Sequence, residues 1–444
     1  MSMPDFEPCY DFVGPNESVL LANRSASFCV GNTVYKGRAE VRLDLHPNAN
    51  IRIYGMFKNI PLPIAAECLF SQKEISSFSI GENNIPGWAL NIGGDEQDQT
   101  MTLTWAPKTE PIIGTGDDKA SLMSYIIFHL FNFKNIIGMR RVVEKADGSS
   151  TARVDLETEG WQIEIKSLTK SDDFFKHLNE IGGFCLTHVG CLRRKDDSLF
   201  DGKSAWPILN ALRHYFSFSR GCWCGPVCMV GFDRSDNRVW ECWSSPKDGW
   251  NFFFSWFDPH HCEQLAALFP GFIAKWQNDN WREALSEVIY WYLNSNNSAR
   301  GIDAGIILTQ AAIERLSYEY AVKDRRLMEA EGFKKLNASD KYRLLFSSLS
   351  IPIDIPHPLS EMGKLAKQRN WADSPHALTE IRNSLVHPEH KNHAQFHGAY
   401  FEAWKLGLWY LELALLRVCG YKGTYGNRLT AKFVGQVETV PWCQ

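Results

Sequence analysis

The feature that most constrains the fold is a change in hydrophobic periodicity near Pro259. Before this point, short segments alternate polar and apolar residues, which is typical of half-buried strands. From Pro259 to about residue 420, apolar residues recur every three or four positions, as they do in amphipathic helices. Strands followed by a run of helices predict an α+β fold, with an N-terminal antiparallel β-sandwich or barrel-like domain and a C-terminal helical bundle.

The strand-rich part extends from about residue 15 to 195. Val34–Leu45 alternates polar with small or apolar residues, and Ile51–Phe57 continues the pattern after a turn signal at Pro47–Asn50, so these segments predict a hairpin. Four more strands are predicted at 102–105, 140–144, 152–156 and 161–165, with a turn at 146–150.

A mixed region links the two parts. It contains a predicted helix at 205–218 and strands at 227–232 and 238–242. The later helices are predicted at 261–276, 280–294, 301–322, 339–349, 358–369, 375–386 and 395–418, before a short extended tail at 421–440. Because 444 residues exceed the size of a single core, we predict three regions: a β-rich domain at 1–198, a mixed linking region at 199–298 and a helical domain at 299–444.

The charge distribution indicates which kinds of polyanion the protein could bind, and with which part of the chain. The net charge of −4 argues against a broad basic surface that coats duplex DNA. Residues 300–444 nevertheless carry 19 Lys and Arg against 15 Asp and Glu, whereas residues 1–299 carry 28 against 36. The asymmetry either assigns polyanion binding to the C-terminal part or is an ordinary fluctuation.

Neither a signal peptide nor a membrane span is expected. The N-terminal residues Met1–Glu7 lack a basic start and an apolar run, and charged side chains between Glu402 and Arg417 interrupt the most apolar helix. The 12 cysteines are scattered singly, which is the pattern of reduced thiols. These features predict a cytoplasmic protein with no membrane partner.

The sharpest local motif is Glu380–Pro388, with the sequence EIRNSLVHP. Pro388 disfavours helical geometry at His387, so a helix is predicted to end there. Arg382 and His387 then lie about one and a half turns apart. Arginine can hold a phosphodiester with its permanent planar charge, and histidine can exchange a proton near neutral pH, so the pair suits metal-free RNA cleavage.

In this context, Arg382, Asn383 and His387 resemble the Arg-x4-6-His motif of the HEPN superfamily, in which Asn often follows the Arg. The predicted helices at 302–322 and 395–418 flank the motif in the order found in HEPN bundles. The ending Leu416–Leu429 is similar to the C-terminal signature of large prokaryotic HEPN proteins related to the ApeA anti-phage family. The resemblance is close over 300–430 and loose over 1–260.

The resemblance implies a metal-independent endoribonuclease that acts on RNA such as tRNA and needs no cofactor. It implies a homodimer formed through the helical domain, with catalytic residues Arg382, Asn383 and His387. The biological role would be an effector of anti-phage defence or a regulated toxin, with a phage-derived or protein trigger at the N-terminal domain. The alternative is a non-catalytic HEPN-like module that binds nucleic acid or protein in a defence complex.

Three further residues are candidates for supporting roles. Gln310 and Glu314 lie one turn apart on the first long bundle helix and could orient Arg382 or His387. The alternative for Glu314 is a surface pair with a neighbouring cation. His390 is predicted to be a loop residue near the phosphate.

Two clusters raise the question of a metal. His387, His390, His393 and His397 are closely spaced, but no Cys or carboxylate cluster completes the set. Cys222, Cys224 and Cys228 lack the paired spacing of zinc sites. No metal is therefore predicted. The dense aromatic residues between 240 and 257 indicate either an interdomain core or a stacking surface.

Overall fold

The computed structural model describes residues 6–60, 75–95, 98–114, 121–137, 141–144, 150–168, 171–297, 299, 301–387, 393–430 and 433–443. It confirms the predicted α+β class, with antiparallel sheets in the N-terminal half and helices in the C-terminal part.

The first sheet has seven strands in the order β5-β4-β1-β2-β3-β7-β6. Its strands are β1 (Val19–Val30), β2 (Thr33–Asp44), β3 (Asn50–Lys58), β4 (Ile75–Ile80), β5 (Asn83–Asn84), β6 (Gly87–Asp95) and β7 (Thr100–Pro107). The predicted hairpin is confirmed by antiparallel pairing of β2 with β3. Burial alternates along both strands, as expected where one face of a sheet meets a core.

The second sheet has eight strands in the order β10-β11-β12-β13-β9-β14-β15-β8. Its strands are β8 (Ile112–Gly114), β9 (Tyr125–Phe131), β10 (Arg141–Glu144), β11 (Ser150–Thr158), β12 (Trp161–Ser167), β13 (Leu186–Arg194), β14 (Val227–Phe232) and β15 (Arg238–Cys242). Since β14 pairs with β9, this sheet crosses residue 198, where a domain boundary was predicted. The predicted turn at 146–150 falls mainly outside the described residues.

The two sheets face one another across a shared apolar core. Phe28, Phe57 and Trp105 of the first sheet belong to the same buried cluster as Val230 of the second and the neighbouring Trp243. Two layers of antiparallel strands thus bury one common set of apolar side chains, as in a sandwich.

Ten α-helices lie in the described residues. They are α1 (Ser171–Ile181), α2 (Gly202–Arg220), α3 (Glu263–Trp276), α4 (Asp279–Asn296), α5 (Ile302–Tyr318), α6 (Ala330–Lys335), α7 (Ala338–Ser348), α8 (Ser360–Arg369), α9 (Ser374–Val386) and α10 (His393–Val418). A π-helical turn, Glu319–Asp324, extends α5. The predicted helices from 261 onward are confirmed within about two residues at most ends, whereas α1 and α6 were not predicted.

Helix α10 runs through the middle of the helical part and is almost wholly buried along its second half. Its apolar residues join one buried cluster that also includes α2, α3 and α4. The apolar core therefore continues across the predicted boundary at residue 298. No helix within the described ranges is long and apolar enough to cross a membrane.

A buried ion pair fixes the C-terminal tail to α10. Glu412 is fully buried, and Arg428 of the tail donates to both of its carboxylate oxygens, at 2.9 Å from Nε and 2.5 Å from Nη2. Tyr292 of α4 donates to the same carboxylate at 2.6 Å, and Asn296 accepts from Arg428 at 3.2 Å. This network links α4, α10 and the tail. The tail also contains the short strands β16 (Thr424–Tyr425) and β17 (Glu438–Thr439).

Candidate active site

Helix α9 carries the Arg-x4-His motif, and local sequence signals set both of its ends. Asp373 is the N-cap residue, and its side chain accepts a hydrogen bond from the backbone N–H of His376 at 2.9 Å. At the other end, His387 leaves helical geometry with φ −108° and ψ 114°. The prediction that the helix ends at His387 is confirmed, and the following Pro388 in the sequence gives the physical reason.

The N-terminus of α9 is also fixed to α7. Arg343 of α7 donates to both carboxylate oxygens of Asp373, at 2.5 Å from Nε and 3.0 Å from Nη2. A two-point contact between a guanidinium and a carboxylate restricts rotation as well as distance. The N-terminus of α9 is therefore held in a fixed position relative to α7.

The two faces of α9 differ in burial. Leu378, Ile381 and Ser384 are buried, whereas Arg382 and Asn383 are partly exposed and His387 is exposed. Arg382 donates from Nη1 to the Asn383 side-chain oxygen at 3.3 Å. The arrangement places a cation, its neighbouring amide and an imidazole where a large substrate can reach them.

Gln310 of α5 connects directly to α9. It is 2% exposed, and its side-chain amide donates to the backbone oxygen of Leu378 at 2.7 Å. Leu378 precedes Arg382 by one helical turn, so this hydrogen bond fixes the part of the helix from which Arg382 projects. Glu314, one turn further along α5, forms an ion pair with Lys341 of α7. The Glu314 carboxylate is thus engaged with a neighbouring cation.

Tyr342 of α7 completes the connection between these helices. It is buried, and its hydroxyl donates to Gln310 at 3.2 Å to the backbone oxygen. Burial raises the pKa of Tyr342 above its ordinary range, the Glu314 carboxylate raises it further, and the Arg382 cation opposes both. Arg382 and Glu314 are thus close enough to the same phenol to influence its ionisation. Sequence reasoning missed Tyr342, for which no local motif exists.

His390 lies outside the described residues, as do the side-chain positions of His393 and His397. Of these four candidates, His387 alone is described with its side chain, and the proposed role of His390 near phosphate stays a prediction.

The cysteine cluster has the properties of core residues. Cys222, Cys224 and Cys228 are buried, and the thiols of Cys224 and Cys228 donate to backbone oxygens at 3.3 Å and 3.1 Å. Burial raises the pKa of Cys222 to about 11. Burial therefore favours the protonated form of these three thiols. Within the described ranges, no three His, Cys, Asp or Glu residues form a group that could hold a metal ion.

The aromatic residues between 240 and 257 divide into two sets. Trp243, Trp256 and Phe257 are buried in the core, whereas Phe252 is 86% exposed. The segment is thus mainly a packed core, as one of the two interpretations predicted, with an exposed ring at its edge.

Two family matches cover most of the helices and the second sheet. Residues 118–254 match the YopA central domain, and residues 278–439 match the YopA C-terminal domain, which includes α9. The chain is also 32% identical over 339 residues to the "SPbeta prophage-derived uncharacterized protein YopA" of Bacillus subtilis (strain 168), with 74% of each chain covered. No solved structure matches the chain.

Proposed function

The chain belongs to the YopA family, and we propose that it is a metal-independent endoribonuclease of the HEPN type, with tRNA as the first substrate to test. The observation that carries this proposal is the geometry of α9. Arg382 projects from a helix that Gln310 and Asp373 fix in the bundle, and the exposed His387 follows at the end of that helix. A guanidinium and an imidazole held in this way supply charge stabilisation and proton transfer.

The proposed reaction is attack by the ribose 2′-hydroxyl on the adjacent phosphorus. His387 accepts the 2′-hydroxyl proton as the new O–P bond forms, and Arg382 holds the non-bridging oxygens of the phosphate. The bond between phosphorus and the 5′-oxygen then breaks, and an acid protonates the leaving oxygen. The products are a 2′,3′-cyclic phosphate and a 5′-hydroxyl. Asn383 positions Arg382 through the hydrogen bond at 3.3 Å.

The wider role is proposed on the same basis. The enzyme would act in the cytoplasm, where tRNA is found, as an effector of anti-phage defence or as a regulated toxin. Residues 1–198, which include the first sheet, would respond to a phage-derived or protein trigger. The relative's name describes it as prophage-derived, which is compatible with a role in the conflict between phages and their hosts.

Cleavage is expected to continue in EDTA, because the proposed acid, base and cation are all organic side chains. The test incubates end-labelled tRNA with the purified chain in EDTA and separates the fragments on a denaturing gel. The Arg382→Ala variant serves as the inactive comparison. Activity that is lost in EDTA and returns only with added Zn²⁺ or Mn²⁺ would refute this mechanism and favour the histidine cluster.

A homodimer is expected to be the active form. One His387 can act as the base, but the leaving 5′-oxygen also needs an acid, which a second copy of α9 across a two-fold axis would supply. If each site takes its Arg from one chain and its His from the other, a mixed dimer of Arg382→Ala and His387→Ala subunits contains one composite pair of cation and base, although it lacks a second His387 to act as the acid. Such dimers, purified through two different tags, should regain part of the cleavage, which neither variant shows alone.

Sedimentation at micromolar concentration provides the control for this assembly. A chain that cleaves RNA under conditions in which it sediments only as a monomer would contradict the shared site.

A further inference from the structure

One cavity among the described residues is lined by no residue of α9. It has a volume of about 490 Å³ and is lined by the loop after β9, by α1, by the end of α2, by residues 250–260 and by the tail around residue 433. A volume of this size suits a small organic ligand. The lining residues thus come both from the part of the chain that matches the family's central domain and from the part that matches its C-terminal domain.

Two cations line this cavity. Arg220, the last residue of α2, is 2% exposed and donates to the backbone oxygens of Asn132 and Asn251 at 2.7 Å and 2.8 Å. Lys134 donates to the Ser255 hydroxyl at 2.6 Å and to the Phe257 backbone oxygen at 2.7 Å. These partners are all neutral, and the described part of the chain places no carboxylate within 4.0 Å of either cation.

The two cations repel one another, and this repulsion affects the pKa of Lys134. Burial lowers the pKa of Lys134 to about 7, and the nearby Arg220 cation lowers it too, while Glu412 and Asp258 act in the opposite direction. Asp258, which also lines the cavity, bonds to its neighbour His260. A bound anion would relieve the repulsion between Lys134 and Arg220 and raise the pKa of Lys134.

Aromatic rings form another part of the wall. The Arg220 guanidinium lies 4.8 Å from the centre of the Trp250 ring, which in turn lies 5.3 Å from Phe175. Two further rings at the rim, Phe252 and Phe433, are 86% and 87% exposed. Exposed rings beside a cavity offer flat surfaces on which a second aromatic group can stack.

We propose that this cavity binds a nucleoside monophosphate. Lys134 and Arg220 hold the phosphate, because paired cations next to neutral hydrogen-bond partners suit a small dianion. The base stacks on Phe252 at the rim, as bases do on aromatic side chains of nucleic-acid-binding proteins.

Hydrogen bonds connect the wall of the cavity to the helical domain. Asn296 of α4 donates to the backbone oxygen of Phe254 at 2.8 Å and accepts from Arg428 at 3.2 Å. Arg428 is bound in turn to Glu412 of α10. The loop that lines the cavity is therefore tied to the helix that follows α9 in the chain.

Isothermal titration calorimetry of the full chain tests the proposal. The ligands are AMP, GMP, CMP and UMP, the four matching nucleosides, and inorganic phosphate. At least one monophosphate should bind more tightly than its nucleoside and more tightly than phosphate. Binding at pH 7.5 should be accompanied by proton uptake, measured from the dependence of the heat on the ionisation enthalpy of the buffer. No binding at millimolar concentration, or equal binding of phosphate alone, would overturn the proposal.

Single-residue variants separate the contribution of stacking to binding from the contribution of the Lys134 charge. Phe252→Ala should weaken binding about tenfold through the loss of stacking, and its exposed position leaves the fold intact. Lys134→Met should weaken binding and abolish the proton uptake. Trp88→Ala, which removes a half-exposed ring from β6, is the matched control and should bind like the wild type. Unchanged binding in both Phe252→Ala and Lys134→Met would contradict the assignment.

One further titration distinguishes this site from the proposed nuclease site. The Arg382→Ala variant should bind the monophosphate as the wild type does, whether or not the chain cleaves RNA. Loss of binding in that variant would place the nucleotide at α9 and overturn the inference.

Discussion

Replacing His387 with alanine is expected to lower the rate of RNA cleavage about 10²- to 10⁴-fold, which is the usual contribution of a general acid or base. The rate falls because the variant lacks the imidazole that accepts the 2′-hydroxyl proton. Single-turnover cleavage of end-labelled tRNA measures the change in the chemical step. Since His387 is exposed and lies beyond the last residue of α9, the variant should keep the far-ultraviolet circular dichroism and melting temperature of the wild type.

His357→Ala is the matched control, because it removes another exposed imidazole from the helical domain. It should cleave at the wild-type rate. Equal cleavage by the His387→Ala and wild-type chains would place the activity elsewhere in the molecule.

Replacing Glu412 with alanine is expected to reduce the free energy of unfolding by about 3–5 kcal/mol, the usual cost of removing one partner from a buried ion pair. The variant leaves Arg428 buried with its charge uncompensated, and the Tyr292 hydroxyl loses its acceptor. Urea-induced unfolding followed by tryptophan fluorescence measures the effect. The transition should move to a clearly lower urea concentration.

A surface pair provides the comparison for this variant. Glu331 forms an ion pair with Lys334, and both side chains are more than two-thirds exposed. Glu331→Ala should therefore change the free energy of unfolding by less than about 1 kcal/mol. If Glu412→Ala has an equally small effect, the network between α4, α10 and the tail does not stabilise the fold.

The sequence predicted most of the helices because amphipathic periodicity survives wherever one face of a helix is buried. The hairpin of β2 and β3 was found for the same reason, since only one face of each strand is buried. Strands β9 and β13 gave no such signal. Both lie inside the second sheet, and nearly every residue of each is buried, so their sequences do not alternate.

Helix α1 was missed for a different reason. It has 11 residues and lies between β12 and β13 of one sheet, so the surrounding strand pattern dominated the interpretation. The second sheet also crosses residue 198, where a boundary between regions was predicted. Strand β14 returns to pair with β9 after α2, and a pairing between strands about 100 residues apart leaves no trace in a local pattern.

For the candidate site, local spacing was sufficient to place Arg382 and His387 at the end of one helix. The Asp373 cap and the extended geometry of His387 follow from short-range rules. Contacts between helices were harder to predict. Gln310 was a candidate from its position on α5, but its bond to Leu378 spans 68 residues, and the buried hydroxyl of Tyr342 had no local signal.

The central claim is that this chain cleaves RNA with Arg382 and His387. Mapping the ends of the RNA fragments produced by the purified wild-type chain in EDTA tests it most directly. The account predicts fragments with 2′,3′-cyclic phosphate and 5′-hydroxyl ends, and none above background from the Arg382→Ala/His387→Ala double variant. Intact RNA with the wild-type chain, or the same fragments at the same rate from the double variant, would contradict it.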